Sequence, residues 1–331
     1  MKPLCIILHL AIVATSVIAI IVPPEAPGTS ADRKAKVDKF KHNTVGFYIT
    51  SSCYPVDDTH SQLDTLVAYP PLSHQSEVNK ISADLSLPNI QSWVNELTNY
   101  HNRYLVTDGG ARSAEWFVQT VSDIISNYPG SGATVRPFVH SWAQNSVIAR
   151  IPGSTDGPIT IISAHLDSIN RKDLHEGRAP GADDNAAAAS DILEVFRVLV
   201  ASKSFKPRTA VEFHWYSGEE PGSLGSQPIA KSYKDAGIQV KAMMNLVLTA
   251  YIPPGTQEVI ALMPDYVHQG LNAFLVKIIE QYSTLPHISR LEIANPYRHS
   301  ENDTIHVPGF SWSHTFEFAK ISLAFAYELS V

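Results

Sequence analysis

Residues Trp93, Val94, Leu97 and His101 recur at helical spacing, and so do Ala114, Phe117, Val118, Val121 and Ile125. Side chains repeated every three to four residues fall on one face of a helix, so both stretches are predicted amphipathic helices, with regular structure beginning near Ile81. After Ala133 the period changes. Asn145–Ile151 reads as a strand, and the continuous apolar run Pro158–Ala164 as a strand buried on both faces. Ala186–Val200 places Ile192, Val195, Phe196 and Leu199 on one helical stripe. Ala210–Ser217 and Met243–Tyr251 read as further strands, Gln269–Tyr282 and Ser313–Leu329 as helices. Strands separated by helix-length segments predict an α/β domain whose parallel or mixed sheet is covered on both faces.

The N-terminal quarter lacks this regularity. Lys2 precedes the apolar run Pro3–Val22, broken only by His9, Thr15 and Ser16. Such a run could just span a bilayer, at about 20 residues. Its N-terminal position, the small residues near Ala19 and the Pro23-Pro24 that follow favour a cleaved signal peptide over residues 1–19, hence an exported, extracellular protein. Residues 20–75 mix Pro, Gly and a basic cluster (Arg33, Lys34, Lys36, Lys39, Lys41). They read as a pro-segment, with an ordinary N-terminal extension as the alternative, and leave 76–331 as the main domain.

Composition narrows the reading. Hydrophobic residues make up 44% and charged residues 17% of the 331-residue chain, enough for a sizeable core. A net charge of −7 argues against nucleic-acid or anionic-membrane partners, which need clustered cations. Of the two cysteines, Cys5 lies in the expected signal and Cys53 is left alone, so no intrachain disulfide framework can form.

Three short segments carry candidate chemistry where such a sheet presents functional groups, at the C-terminal ends of strands. In SAHLDS, His165 can bind a metal and Asp167 can orient its ring. A polar strand end is the plainer explanation of that pair alone. In APGADDNA, Asp183 and Asp184 lead into a helix, where capping explains them as well as metal binding does. In WYSGEEPGSLGS, Glu219 and Glu220 end a strand. Adjacent carboxylates repel unless a cation or a proton separates their roles, so one can ligate zinc while the other serves as general base. The set suits zinc, or two zincs about 3.5–4 Å apart bridged by a carboxylate. The chain has no HExxH helix, no Cys-x-x-Cys and no G-x-S-x-G elbow.

With these motifs the chain resembles the co-catalytic zinc aminopeptidases, most closely the secreted fungal leucine aminopeptidases. The likeness runs from about Leu72 to Val331 and includes LSHQSEVNKI, HSWAQNSVIARIPG, HLDSIN, APGADDNA, EFHWYSGEEPGSLGSQ and NPYRHSENDT…HTFEFAK…LAFAYEL. The resemblance implies a single α/β domain with a mixed, mostly parallel central sheet flanked by helices, a removable pro-segment, and peptide substrates with a free N-terminus. It implies metal ligands at His165, Asp184 (bridging), Glu220 and His299. Glu219 is the implied general base, Asp167 the partner orienting His165, and Asp183 a structural residue. A monomer is expected.

Two departures set this chain apart. Where the family motif reads LDMTAY, Leu246–Tyr251 reads LVLTAY, so Val247 stands in place of an aspartate ligand. Two zincs are implied by the family; one strong site, made of Asp184, Glu220 and His299, is expected here. Between Ser283 and His299 the chain is also shorter than its relatives. It lacks a disulfide-bonded turn, part of the substrate pocket and a tyrosine that supports the carbonyl oxygen, and a core strand is expected to suffer. A non-catalytic peptide-binding relative and a single-zinc acyltransferase resembling the glutaminyl cyclases remain as alternatives. The sequon Asn302-Asp303-Thr304 lies beside His299, and Asn302 is expected to be unmodified.

Overall fold

The computed structural model describes residues 69–264, 267–289 and 295–331. The expected signal peptide and the pro-segment up to residue 68 lie outside the described residues, as do both cysteines.

Helix α1 (Gln75–Ser82) opens the regular structure, earlier than the periodicity predicts. It is short, but Val78 and Ile81 are buried in the main core. Helix α2 (Leu87–Asn99) starts at Ser86, whose hydroxyl accepts from the amide of Asn89, and has a proline in its first turn. Helix α3 (Asp108–Asn127) is capped in the same way by Thr107. Strands β1 (Thr134–Phe138), β2 (Ser146–Ile151), β3 (Ile159–His165), β4 (Val211–Tyr216) and β5 (Val240–Asn245) form one sheet in the order β1-β2-β4-β3-β5. Only β2 runs against the others, so four of the five strands share a direction and the sheet is mixed, mostly parallel. β1 carries Pro137 and faces water along much of its length, which is why no apolar pattern announces it.

The alternation along β4 divides the interior. Val211, Phe213 and Trp215 face the large core, together with helices α4 (Ala187–Ala201) and α7 (Trp312–Ser330). Tyr216 lies on the other face, in a smaller core with Ile229 and Tyr233 of helix α5 (Ser226–Asp235). Helix α7 packs against α4, against helix α6 (Gln269–Tyr282) and against β3, and is apolar almost all round for that reason. Truncating one of its buried aromatics, such as Phe325, would cost about 3–5 kcal/mol.

One expectation is corrected here. The strand predicted over Met243–Tyr251 ends at Asn245. Beyond it Leu248 takes a left-handed φ of 54°, and the amides of Ala250 and Tyr251 donate to Asp183 rather than to a neighbouring strand. The shortened segment contributes no strand to the central sheet among the described residues. Its strand β7 (His287–Ser289) pairs with β6 (Ile260–Leu262) in a separate two-stranded sheet. Among the described residues no helix is long and apolar enough to cross a membrane.

Candidate metal centre

The parallel pairing of β3 with β4 sets His165 opposite Tyr216, so the turn that follows β4 arrives beside the end of β3. That turn, Ser217–Glu220, passes through Gly218 at φ 63°, a conformation that favours glycine. It is seated on Asp167, whose two carboxylate oxygens accept from the amides of Glu219 (2.9 Å) and Glu220 (3.0 Å). His165 Nδ1 lies 3.1 Å from the Asp167 carbonyl oxygen and 3.5 Å from its Oδ1. The sequence places Asp167 against the ring alone; in the fold the same side chain also shapes the glutamate turn.

Asp184 comes from the π-helical turn Ala182–Ala186 that precedes α4, and a cis peptide joins it to Asn185. Its Oδ1 lies 3.1 Å from His165 Nε2 and its Oδ2 lies 2.9 Å from His299 Nε2. His299 Nε2 is also 2.9 Å from Glu220 Oε2. Asp184, Glu220 and His299 therefore each turn one ligand atom into a space where all three lie within 4.8 Å of one another. His299 sits at φ 58°, a left-handed conformation that costs a non-glycine residue free energy, and its carbonyl accepts from the Arg171 amide.

The electrostatics follow from burying so many acids together. Burial opposes a charge on His165, yet Glu219, Asp167 and Asp184 outweigh it and hold the imidazole pKa well above its usual value. Burial is likewise overcome at His299, which Glu220 and Asp184 push up to about 9. Burial would also raise Asp184, but the two histidines hold it well below the ordinary carboxylate range. Glu219 is pushed up to about 8 by burial and by Glu220, Asp167 and Asp184, against the pull of His165.

A cation suits this arrangement. Glu220 Oε1 and His299 Nδ1 are buried with no hydrogen-bond partner. If His165 donates Nδ1–H to the Asp167 carbonyl, its Nε2 faces the oxygens of Asp184 and Glu219, and only a proton or a metal between them relieves the contact. One nitrogen and two carboxylates form a donor set that suits zinc with a position left open.

Sequence reasoning missed the residues that assemble these pieces. Arg103, fully buried in the loop between α2 and α3, donates to the carbonyl oxygens of Leu97 (2.9 Å), Leu166 (3.0 Å), Pro180 and Gly181 (3.1 Å). Burial lowers its pKa to about 10, which Asp303, Asp167, Asp184 and Glu220 oppose, so it stays cationic beneath the acids. Asp183 Oδ1 accepts from the amides of Ala250 and Tyr251 and its Oδ2 from Asn295 (2.7 Å). Asn185 Nδ2 donates to the Leu246 carbonyl (2.9 Å) and its Oδ1 accepts from the Leu248 amide (3.3 Å), on either side of Val247. In the sequon, Asn302 is exposed whereas Asp303 is fully buried.

The comparisons with known proteins agree with this geometry. Residues 146–289 match the model of Peptidase family M28. The probable leucine aminopeptidase of Arthroderma otae is 37% identical over 287 residues, which cover 78% of this chain and 76% of that protein. The chain belongs to peptidase family M28. Leucine aminopeptidase 1 of Aspergillus niger, another similar protein, is 35% identical over 330 residues, 89% of this chain and 81% of its own. Among solved structures, LapB of Legionella pneumophila superposes with a TM-score of 0.73 at 26% identity, covering 86% of this chain and 84% of LapB. In this chain the candidate donors come from the ends of β3 and β4 and from the two loops that face them.

Proposed function

We propose that this M28 protein is an exported zinc aminopeptidase that releases leucine-like residues from the free N-terminus of peptides, working with one tightly held zinc. Asp184, Glu220 and His299 would hold the metal. The observation that carries the reading is their convergence, with Asp184 Oδ2 and Glu220 Oε2 each 2.9 Å from His299 Nε2 while Glu220 Oε1 is buried without a partner. Bound there, zinc would supply Lewis-acid polarisation of the peptide carbonyl.

This chain's own residues supply the remainder. Glu219 is the general base: its carboxylate takes a proton from the attacking water and returns it to the leaving amine. Burial, with the acids around it, raises its pKa above that of a solvated glutamate. Asp167 fixes the direction of both glutamates through their amides. The likeness to leucine aminopeptidases supports exopeptidase over endopeptidase action. Val247 brings no donor to the side of Asp184 that His165 occupies, and this supports one zinc rather than two.

Hydrolysis of leucine p-nitroanilide by purified protein with added zinc tests the reading, beside the Glu219→Gln variant. Turnover by the wild type alone supports it. A folded, zinc-loaded wild type that is as silent as the variant would leave a binding protein on a peptidase scaffold.

A further inference from the structure

We propose that Asp303 is a positioning residue that sets the affinity of the metal site, by locking the loop carrying His299 onto the turn carrying Asp184. The inference rests on the zinc reading above and concerns a residue outside the ligand set.

Three consecutive amides of the Asp184 turn end on this one residue. The Ala182 amide donates to the Asp303 carbonyl oxygen at 3.0 Å, the Asp183 amide to Oδ1 at 3.1 Å and the Asp184 amide to Oδ2 at 3.0 Å. Asp303 is fully buried, and it lies four residues beyond His299 on the same short loop. The loop makes two further ties. His299 accepts from the Arg171 amide through its carbonyl, and Asn295 donates to Asp183 at 2.7 Å. Ligands from two segments more than a hundred residues apart thus face each other across a bridge built by one carboxylate.

The chemistry explains why a carboxylate stands there. Two parallel N–H donors require two acceptor oxygens, and an asparagine would offer one oxygen and turn its NH2 toward the other amide. Asp167 does the same for the amides of Glu219 and Glu220, so each metal-facing turn sits on its own aspartate. A buried carboxylate on uncharged amides beside two other acids is otherwise unfavourable.

The test compares zinc dissociation constants, by chelator competition on the purified full chain, for the wild type, Asp303→Asn and Glu194→Gln. Glu194 is a control of equal burial that touches none of the three candidate ligands: it accepts from the Ser86 amide and Asn89 at the start of α2 and from Arg197. Partners that orient ligands typically contribute roughly 10–100-fold to metal affinity. Asp303→Asn should weaken zinc by that factor and alter the visible spectrum of the cobalt-substituted protein. Glu194→Gln should lower thermal stability without moving the zinc constant. Equal zinc affinity in Asp303→Asn and wild type overturns the proposal. Absence of zinc binding in the wild type overturns the metal reading instead. Should Asp303→Asn fail to fold, amide exchange in the wild type decides. Zinc should slow exchange at Asp183 and Asp184, and unchanged exchange on zinc loading overturns the proposal.

Discussion

Asn185 brackets Val247: its side chain bonds the main chain on both sides of the valine, at the Leu246 carbonyl and the Leu248 amide. The loop is therefore anchored to the residue that follows Asp184, whatever side chain position 247 carries. Val247→Asp should restore a donor beside Asp184 without rebuilding the loop. Elemental analysis is expected to show about one tight zinc in the wild type and two in Val247→Asp, with higher peptidase activity in the variant. Two tight zincs in the wild type would refute the one-metal reading.

Glu219→Gln removes the proposed base but none of the three atoms that converge on the metal position. Removing a general base typically costs 10²–10⁴-fold in rate, so kcat should fall by about that factor while zinc content stays unchanged. A Glu220→Gln variant should instead lose zinc. Loss of metal in both would mean that the roles of the two glutamates are assigned wrongly.

Arg103 satisfies four carbonyl oxygens from three separate segments, and a lysine cannot reproduce that fork. Buried carbonyls left without a donor cost about 1–3 kcal/mol each. Arg103→Lys is expected to lower the denaturation midpoint strongly and to weaken the site in the protein that remains folded. A midpoint within error of wild type would show that these bonds contribute nothing net.

The smaller core holds a second buried ionic group, apart from the metal. Glu212 accepts from Arg150 (2.6 Å) and Tyr233 (2.6 Å) and pairs with His214 (2.9 Å). Burial opposes its charge, but these partners bring its pKa from 4.5 down to about 2. A carboxyl depressed in the folded state adds stability above its unfolded pKa, and that stability drains away as the pH falls through the folded value. The contribution is thus complete above about pH 5 and lost between roughly pH 4.5 and 2. Glu212→Gln should be less stable than wild type at neutral pH, with the two urea midpoints converging on the acid side. A constant gap across that range would count against the ion pair as the cause.

Much of the site was legible because each metal-facing acid sits in a short contiguous motif at the end of a buried strand. HLD, ADDN and SGEE each combine a strand or helix boundary with an unusual density of donors, and His299 follows from the resemblance of NPYRHSENDT. The strands themselves showed in runs such as Ile159–His165, where every residue is buried and apolarity is therefore continuous. β1 did not show, since an exposed edge strand imposes no apolar pattern. The strand predicted through Tyr251 was too long because apolar residues also fill loops that lie against a core.

By itself, the sequence determined the α/β class and most of the helices and buried strands, since these depend on local periodicity, and it marked the acidic motifs as candidates because adjacent donors are visible in the chain. Only the tertiary structure decided how those residues meet. Asp303 bonds Asp183 across 120 positions, and Arg103 bonds Gly181 across 78. No local pattern marks either partner, because a buried hydrogen bond between distant segments is specified by the packing of the whole sheet and its helices rather than by the residues beside it.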